Sequence, residues 1–486
     1  MKLLRSLAVW SELQGSAVAL RDDQQLLTYG ELWARVTREA EALRQQLLER
    51  QVLGRPVALL ADNGIDWVVR DLACMLAQVP CVPVPPFFNA QQRAHLLRDS
   101  GCVLLCVGSD QGWTEQWLDA AAVSLPAGTC KITYTSGSTG EPKGVCLGAA
   151  QLQNTLEALA DRVGALEVQE HLCTMPLAVL LENLAGVYLP LWLGKRVTLP
   201  GLTNLGLASM HRPEPGRFIA TLAASRADSL ILLPATLGWL VAATKAHQLP
   251  AGRWNLLAVG GGKSGRQLLA QADALGLPVY EGYGLSEVGS VVALNGPDCR
   301  CLGSVGKPLS HLEVTLADDG EILVRGNPML GYIGSPALPQ ADSWLATGDW
   351  GEWDADGFLT IQGRKKSTLV TGFGRNVAPE WLEAELATLP GVLQCFVYGD
   401  EEQGIRALLF APALAGTHEG ESLLQACNAR LPDYARLRGW LFIDEPLSRD
   451  RDELTANGRL RRHIILQQRT QQGAAVNPVI SNEEVS

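Results

Sequence analysis

The sequence predicts an α/β fold, with a large N-terminal domain of stacked, mostly parallel α/β sheets plus a small antiparallel β unit, and a small α+β domain after it. Apolar segments of strand length alternate with segments of helical periodicity from residue 57 to residue 281, and this order produces parallel sheets covered on both faces. Short strands joined by Asp-Gly turns begin at about residue 314, which is typical of hairpins. A length of 486 residues also exceeds one ordinary domain.

The first α/β unit begins with a capping box. Thr28 precedes Glu31 by three residues, and apolar residues recur at helical spacing after it, so the first long helix begins there. Strands are predicted at 57–61, 81–84 and 103–107, with helices at 65–77 and 90–99 between them. Prolines at 83, 85 and 86 end the middle strand, since proline cannot donate to a ladder.

A second α/β unit is predicted to stack after the first. A short strand at 132–134 leads into a glycine-rich loop, and a helix follows at 149–159. Strands are then predicted at 171–175, 196–199, 229–233, 256–259 and 279–281, and helices at 180–193, 218–224, 237–245 and 266–274.

The last part of the chain has its own pattern. Helices are predicted at 380–386 and 422–429, and strands at 393–398, 406–410 and 440–443. About 100 residues with a core of their own make a separate domain. We therefore predict domains at 1–363 and 364–470, and a disordered tail at 471–486, which has few large apolar residues.

Composition indicates an enzyme of small anions in a reducing compartment. A formal net charge of -11 argues against nucleic acid as the main partner. Eleven scattered cysteines lack the doubled spacing of a structural zinc site. The N-terminus shows no export signal, and the stretch 177–194 is interrupted by Glu182, Asn183 and Pro190. We expect a soluble cytoplasmic protein without a transmembrane segment.

The glycine-rich loop from Tyr134 to Gly144 predicts an anion-binding site. Backbone N–H groups of a glycine turn form a nest for anions, and a lysine adds a compact charge. Candidate phosphate-binding residues in the loop are Thr135, Ser136, Gly137, Ser138, Thr139, Gly140 and Lys143.

Neither this loop nor a second Gly-Lys segment is a P-loop. The Walker A pattern needs Ser or Thr after its lysine, and Gly144 follows Lys143. The segment from Gly260 to Ser264 has Leu257 where that pattern needs its first glycine. Protease, esterase and kinase signatures are missing from the sequence as well.

Seven segments in a fixed order resemble the acyl-adenylate-forming enzymes, which include acyl-CoA synthetases, peptide-synthetase adenylation domains and luciferases. The resemblance covers about residues 28–462, and the fatty acyl-CoA synthetases look closest. The segments are 134–144, 260–262, 283–287, 320–326, 347–349, 363–364 and 454–459.

The resemblance implies a reaction in two steps. A carboxylate attacks the α-phosphate of ATP to give acyl-AMP and pyrophosphate, and a thiol then takes the acyl group. Lys143 would hold the β- and γ-phosphates, Ser286 would touch the α-phosphate, and Glu287 would bind Mg²⁺. The implied adenine and ribose residues are Gly261, Gly262, Tyr283, Asp349 and Arg364.

The resemblance also implies a catalytic cation and a moving C-terminal domain. The family has a lysine where this chain has Arg459, which keeps the charge on a larger, planar head. Ser367 would be the pivot of the domain rotation, in place of the family's acidic residue. Gly372 and Gly374 would allow close approach of the pantetheine arm of CoA.

The acid itself is less defined by the sequence. Leucine-rich surroundings favour a medium or long fatty acid, with each buried methylene contributing roughly 0.8 kcal/mol. Glu182 is open to two interpretations: a partner for a substrate amine, or a carboxylate at a helix start that faces solvent or a backbone amide. The implied acyl-pocket residues are Leu180, Glu182, Asn183, Leu233, Gly260, Gly284 and Leu285.

Two other functions remain open on the sequence. The enzyme could load its acyl or amino acid onto the phosphopantetheine of an acyl carrier protein instead of CoA. It could also be a non-catalytic nucleotide or acyl-AMP binding protein, because Arg459 departs from the family pattern.

Overall fold

Two large sheets organise the N-terminal part of the chain, and a four-stranded sheet forms in each of the two regions that come later in the sequence. This architecture is taken from a computed structural model, and it confirms the predicted fold class. The structure describes residues 1–109, 112–135, 142–208, 213–335, 343–367, 369–370, 376–400, 404–455, 458–470 and 477–478.

Most helices follow the predicted periodicity, and two were not predicted, one at the N-terminus and one at residues 462–465. Thr28 caps α2: Glu31 donates its backbone N–H to the Thr28 hydroxyl, and the Glu31 carboxylate accepts from the Thr28 N–H at 2.8 Å. Helix α1, which the sequence analysis did not predict, buries Leu3 and Leu7. The helices are α1 Lys2–Leu13, α2 Tyr29–Glu49, α3 Ile65–Leu76, α4 Ala90–Ser100, α5 Ala149–Val163, α6 Leu189–Trp192, α7 Pro215–Ala224, α8 Pro234–Lys245, α9 Arg266–Ala274, α10 Pro379–Leu386, α11 His418–Ala429 and α12 Arg462–Ile465.

The strands are short, as in most α/β proteins. The first are β1 Val18–Asp22, β2 Leu26–Thr28, β3 Val57–Leu60, β4 Cys81–Pro83, β5 Leu104–Ser109, β6 Gly112–Trp117, β7 Thr129–Thr135, β8 Lys143–Gly148 and β9 Glu170–Leu172. The next are β10 Arg196–Leu199, β11 Ser229–Leu232, β12 Leu256–Val259, β13 Val279–Tyr283, β14 Ala293–Leu294, β15 Lys307–Pro308, β16 Glu313–Leu316, β17 Glu321–Arg325 and β18 Gly331–Tyr332. The last are β19 Leu345–Trp353, β20 Leu359–Arg364, β21 Leu369–Val370, β22 Asn376–Val377, β23 Gln394–Asp400, β24 Gly404–Phe410, β25 Gly439–Phe442 and β26 Asn477–Pro478.

The two large sheets exchange strands, which corrects the prediction of two units that follow one another in the chain. One sheet has the order β15-β14-β13-β12-β11-β9-β10-β1-β2, so the N-terminal hairpin joins the later unit through β1 and β10. The other has the order β18-β8-β7-β4-β3-β5-β6, so the late strand β18 pairs with the early strand β8. Central strands pair in parallel, and the antiparallel pairs lie towards the edges.

The segment predicted as one helix at 180–193 is also different in the structure. Residues Glu182–Tyr188 form a π-helix, and α6 follows it. The wide turns place Asn183 and Tyr188 around Lys131, whose ammonium donates to Asp71 at 2.7 Å and to the Tyr188 hydroxyl at 2.9 Å. All four side chains are buried. No helix among the described residues is long and apolar enough to cross a membrane.

The predicted small antiparallel unit is present, and a further sheet forms from three strands of the C-terminal segment, residues 364–470, and from β26 beyond it. The antiparallel unit has the order β16-β17-β19-β20. The later sheet has the order β23-β24-β25-β26, and its core includes Leu382, Leu424 and Trp440. The tail predicted to be disordered lies outside the described residues, apart from the two residues of β26.

All eleven cysteines are free thiols, and seven of them are buried. Burial raises the pKa of Cys102 and of Cys106 to about 12, because the thiolate loses its hydration. These thiols behave as small apolar core residues.

Candidate functional site

Three residues from three separate motifs meet at the end of β13. The Tyr283 hydroxyl donates to Asp349 Oδ2 at 2.6 Å, and Arg364 Nε lies 2.9 Å from Asp349 Oδ1. Strands β19 and β20 place Asp349 and Arg364 as register partners. The carboxylate is therefore held from both sides at the mouth of the sheet.

Asp349 is only 5% exposed, which governs its electrostatics. Burial raises the pKa of its carboxyl, while the charge of Arg364 and the hydrogen bond from Tyr283 lower it. These two partners therefore favour the ionised form inside a site that disfavours charge. An ionised carboxylate in this position can accept hydrogen bonds from a ligand.

Arg459 reaches the same site from the C-terminal segment. Its backbone N–H donates to the Thr455 hydroxyl at 2.9 Å, and its carbonyl accepts from the Thr455 N–H at 2.7 Å. Burial lowers the pKa of its guanidinium, the charge of Arg364 lowers that pKa further, and the charge of Asp349 raises it. The Arg459 side chain thus places a cation near Asp349.

A second group of site residues meets at Tyr332. The Tyr332 hydroxyl donates to Glu287 Oε1 at 3.1 Å, and the Lys143 ammonium lies 5.7 Å from the centre of the Tyr332 ring. Sequence reasoning missed Tyr332, because no motif contains it. It enters the site only through the pairing of β18 with β8.

The glycine-rich loop lies partly outside the described residues. Thr135 ends β7 and Lys143 begins β8, and the two residues are register partners at the base of the loop. Ser286 shares a single 3₁₀ turn with Glu287. The predicted residues that fall outside the described ranges are Ser136, Gly137, Ser138, Thr139, Gly140, Gly372 and Gly374.

Two of the predicted glycines are required by close packing. A Cβ on Gly284 would lie 1.6 Å from the Ser290 carbonyl oxygen. Gly261 has φ +77°, and a Cβ there would lie 2.9 Å from Leu233 Cδ2. Gly260 and Gly262 have more room, with the nearest atoms 3.6 Å away in each case. This loop therefore runs directly against Leu233.

Beside this loop lie two ionisable residues that sequence reasoning did not assign. Burial raises the pKa of Glu281 to about 7, although its carboxylate accepts from the Gly303 N–H at 3.1 Å. Lys263 donates to the Ile361 carbonyl at 2.8 Å, and burial lowers its pKa. The Lys263 ammonium is thus used within the protein, in agreement with the rejection of a Walker motif.

Glu182 does not face solvent, so the interpretation of it as an exposed carboxylate at a helix start is wrong. Its side chain is fully buried, and its Oε1 lies 3.2 Å from His171 Nε2. Gly186 leaves the space for this pair, since a Cβ there would lie 2.6 Å from Glu182 Oε1. His171 in turn contacts the Ser229 hydroxyl at 2.9 Å.

Asn183 also has a different environment from the predicted acyl pocket. Its amide accepts from Lys131 and donates to Asp71 at 3.0 Å. The physical reason is that the buried Lys131 ammonium needs acceptors on every side. Leu180 is buried and Leu285 is half-buried, as pocket residues would be.

A cavity of about 300 Å³ lies beyond Leu233. Its lining is mostly apolar, and it also includes one charged side chain among the described residues, Arg449 of the C-terminal segment. The lining includes Phe87, Met175, Leu207, Leu233, Trp239 and Arg449. Leu233 therefore separates the glycine loop at 260–262 from this cavity.

The predicted hinge residue lies directly after β20. Ser367 is half-buried and belongs to the single 3₁₀ turn Lys365–Ser367. The Lys365 ammonium holds this turn to the antiparallel unit through Glu321 at 2.9 Å. Rotation about Ser367 stays a prediction.

Comparison with known proteins identifies the family. Residues 7–127 and 109–333 match the family model of AMP-binding enzymes. The chain is 30% identical to 2-succinylbenzoate–CoA ligase of Geobacillus kaustophilus, over 88% of this chain and 91% of that protein. It is 29% identical to long-chain-fatty-acid–CoA ligase FadD15 of Mycobacterium bovis, over 80% of each protein.

A solved structure has the same fold. It is o-succinylbenzoate coenzyme A synthetase (MenE) of Bacillus subtilis, in complex with ATP and a magnesium ion. The TM-score is 0.74 at 24% identity, with 94% of this chain and 98% of that chain covered.

Proposed function

The chain belongs to the AMP-binding enzyme family, as an AMP-forming acid–thiol ligase, and we propose that it joins an apolar carboxylic acid with a medium or long alkyl chain to CoA. The acid would first be activated by ATP to an acyl-adenylate, with release of pyrophosphate. The acyl group would then pass to the CoA thiol.

The meeting of Tyr283, Asp349 and Arg364 is the observation that carries this proposal. A buried carboxylate with partners on both sides suits the two neighbouring hydroxyls of a ribose, which donate hydrogen bonds to it. The Tyr283 ring, at the end of β13, would then lie against the adenine face. These roles make the end of β13 a nucleotide site.

Glu287 and Lys143 would act on the phosphates. Glu287 fits a magnesium ion, since carboxylate oxygen is the ligand that Mg²⁺ prefers and Tyr332 donates only to its Oε1. When bound, that ion neutralises charge on the phosphates. Lys143, at the base of the glycine-rich loop, would hold the β- and γ-phosphates as a point charge.

Arg459 would stabilise the charge that develops when the carboxylate attacks. Its guanidinium lies near Asp349 and Arg364, beside the proposed ribose position. A cation placed there can bridge the acid and the α-phosphate, and preorganised charge is the main contribution in transfers of this kind. The role suits arginine because its fork can bind two oxygens at once.

The cavity beyond Leu233 supports an apolar acid. Its walls include Phe87, Met175 and Trp239, and it begins where Leu233 touches the glycine loop. The relatives are named for acids of different chemistry, so their names do not choose among acids. An alkyl chain that fills the cavity would gain roughly 0.8 kcal/mol for each buried methylene.

Acid-dependent exchange of pyrophosphate into ATP tests the proposal. Purified protein is assayed with a panel of alkyl, aryl and amino acids, and we expect exchange to be strongest with alkyl acids. Asp349→Asn tests the nucleotide site independently of the acid and should lower exchange with every acid. No exchange with any acid would refute adenylation, and a preference for aryl or amino acids would refute the alkyl assignment.

A second assay distinguishes the two thiols. The acyl-adenylate is formed with the best acid, and either CoA or a phosphopantetheinylated acyl carrier protein is then added. We expect thioester with CoA. If thioester formed on the carrier protein and not on CoA, the carrier protein would be the acceptor and the CoA assignment would be wrong.

A further inference from the structure

Three side chains with metal-ligand chemistry meet in the core of the protein, and the proposed reaction uses none of them. A ring nitrogen of His171, the sulfur of Cys173 and a carboxylate oxygen of Glu182 all lie within 4.8 Å of one another. Each of the three residues is at most 2% exposed. His171 lies on β9, Cys173 follows that strand directly, and Glu182 begins the π-helix. Buried groups of this kind need a partner for every charged atom.

The contact between His171 and Glu182 is long for a buried ion pair. His171 Nε2 lies 3.2 Å from Glu182 Oε1, whereas hydrogen bonds between two charged groups are about 2.7–2.9 Å long. The other carboxylate oxygen, Oε2, is buried and makes no hydrogen bond within the part of the chain that the structure describes. An ion pair alone therefore leaves half of the carboxylate without a partner in the core, which costs stability.

The same distances match the edges of a coordination tetrahedron. Bonds from zinc to nitrogen, oxygen and sulfur are about 2.0–2.3 Å long, which gives edges of about 3.3 Å between N and O and about 3.6 Å between S and O. The contact of His171 with Glu182 has the first length, at 3.2 Å. Cys173 Sγ lies 3.7 Å from the Gly186 carbonyl oxygen, which offers a fourth ligand. An ion among these atoms needs no separate cavity.

The second ring nitrogen of His171 has the partner that a metal ligand needs. Nδ1 lies 2.9 Å from the Ser229 hydroxyl, which is on β11. That hydroxyl can accept the Nδ1–H, and Nε2 then keeps its lone pair on the side of Glu182. Metal-binding histidines usually donate their other ring N–H in this way, because the hydrogen bond fixes the tautomer and the ring orientation.

We propose that His171, Cys173 and Glu182 bind one zinc ion, which joins β9 to the π-helix at 182–188. One nitrogen, one sulfur and one carboxylate oxygen form a donor set that suits zinc, whereas Mg²⁺ and Ca²⁺ prefer oxygen ligands. Burial and the charge of Glu182 raise the pKa of the Cys173 thiol, and a bound cation would reverse this by stabilising the thiolate. The cysteine spacing does not reveal this site, because the site contains a single cysteine.

Metal analysis of the full-length protein tests the proposal. The protein is produced in medium supplemented with zinc, passed through gel filtration to remove loosely bound ions, and analysed by inductively coupled plasma mass spectrometry. We expect about one zinc ion per chain, as in a closed structural site. Protein produced with cobalt instead should show the absorption band of a thiolate–cobalt bond, which reports a cysteine ligand without any substitution.

Matched variants identify the ligands. Cys173→Ser and His171→Gln should each lower the affinity for zinc by at least about tenfold in competition with a chromogenic chelator, since loss of an outer partner alone costs about 10–100-fold. Ser229→Ala removes only the outer partner and should lower the affinity less than His171→Gln does. Cys427→Ser removes a buried cysteine of the C-terminal segment and should leave the affinity at the native value.

Two outcomes would overturn the zinc site. The native protein could carry no zinc and show no thiolate–cobalt band, or Cys173→Ser and His171→Gln could bind zinc as tightly as Cys427→Ser does. Both measurements on the native protein are decisive even where a variant fails to fold. Pyrophosphate exchange is a separate assay, and its failure would refute the proposed function without bearing on the zinc site.

Discussion

Replacing Tyr283 by phenylalanine tests the nucleotide site most directly. The substitution removes one oxygen and keeps the ring, so any contact of the ring with adenine remains. What is lost is the 2.6 Å hydrogen bond to Asp349, a carboxylate that is only 5% exposed. Arg364 remains at 2.9 Å as the other partner of Asp349.

The structure sets the size of the effect. A hydrogen bond to a charged group contributes about 1.5–3 kcal/mol, which corresponds to about 10–150-fold in an equilibrium constant. Because Arg364 still holds the carboxylate, we expect the low end: a KM for ATP about tenfold higher, with little change in kcat. Loss of the donor should also raise the pKa of Asp349. As the pH is lowered, the carboxylate is then protonated sooner, and ATP binding should begin to weaken at a higher pH than in the native protein.

The assay is pyrophosphate exchange over a range of ATP concentrations and pH. Tyr280→Phe is the matched control, because Tyr280 lies on the same strand and the hydroxyl that donates to Asp349 is that of Tyr283. Its KM for ATP should stay at the native value. An unchanged KM in Tyr283→Phe, or an equal rise in both variants, would refute the role of the Tyr283 hydroxyl.

Three further predictions concern stability, pH and catalysis. Lys131→Met should destabilise the fold by about 3–5 kcal/mol in urea denaturation, because it leaves the buried Asp71 charge without its partner. Adding Asp71→Leu should recover much of that loss, and a double variant less stable than the single one would contradict this. Because burial raises the pKa of Glu281 from 4.5 to about 7, the folded state binds that proton more tightly than the unfolded state, and the stability it contributes is lost as pH rises through about 7. Between about pH 5 and pH 8 the melting temperature of Glu281→Gln should therefore fall less than that of the native protein. Parallel pH profiles of the two melting temperatures would contradict this. Arg459→Ala should lower pyrophosphate exchange by about a hundredfold, and an unchanged rate would refute its catalytic role.

Local chemistry made part of the fold predictable from sequence. Thr28 and Glu31 satisfy each other's backbone donors, so the start of α2 depends on four residues only. The motif residues Tyr283, Asp349 and Arg364 could likewise be selected before any contact was known, because each lies in a recognisable segment. The structure adds that their side chains touch.

Features that depend on distant pairing were not predictable. Leu20 pairs with Val197 in one sheet, and Tyr332 with Val145 in the other, and no local pattern encodes such partners. The burial of Glu182 was unpredictable for the same reason, since it depends on His171 and on the space left by Gly186. Arg449 enters its cavity from a segment more than 360 residues away from Phe87.

The reactivity of the buried thiols reports local unfolding of the protein. Only a thiolate reacts quickly with an alkylating reagent, and burial raises the pKa of Cys102 and of Cys106 to about 12. Reaction at these positions therefore requires the seven-stranded sheet to open around β5. The rate of alkylation at each cysteine, with and without ATP, would map which parts of the chain the nucleotide holds closed.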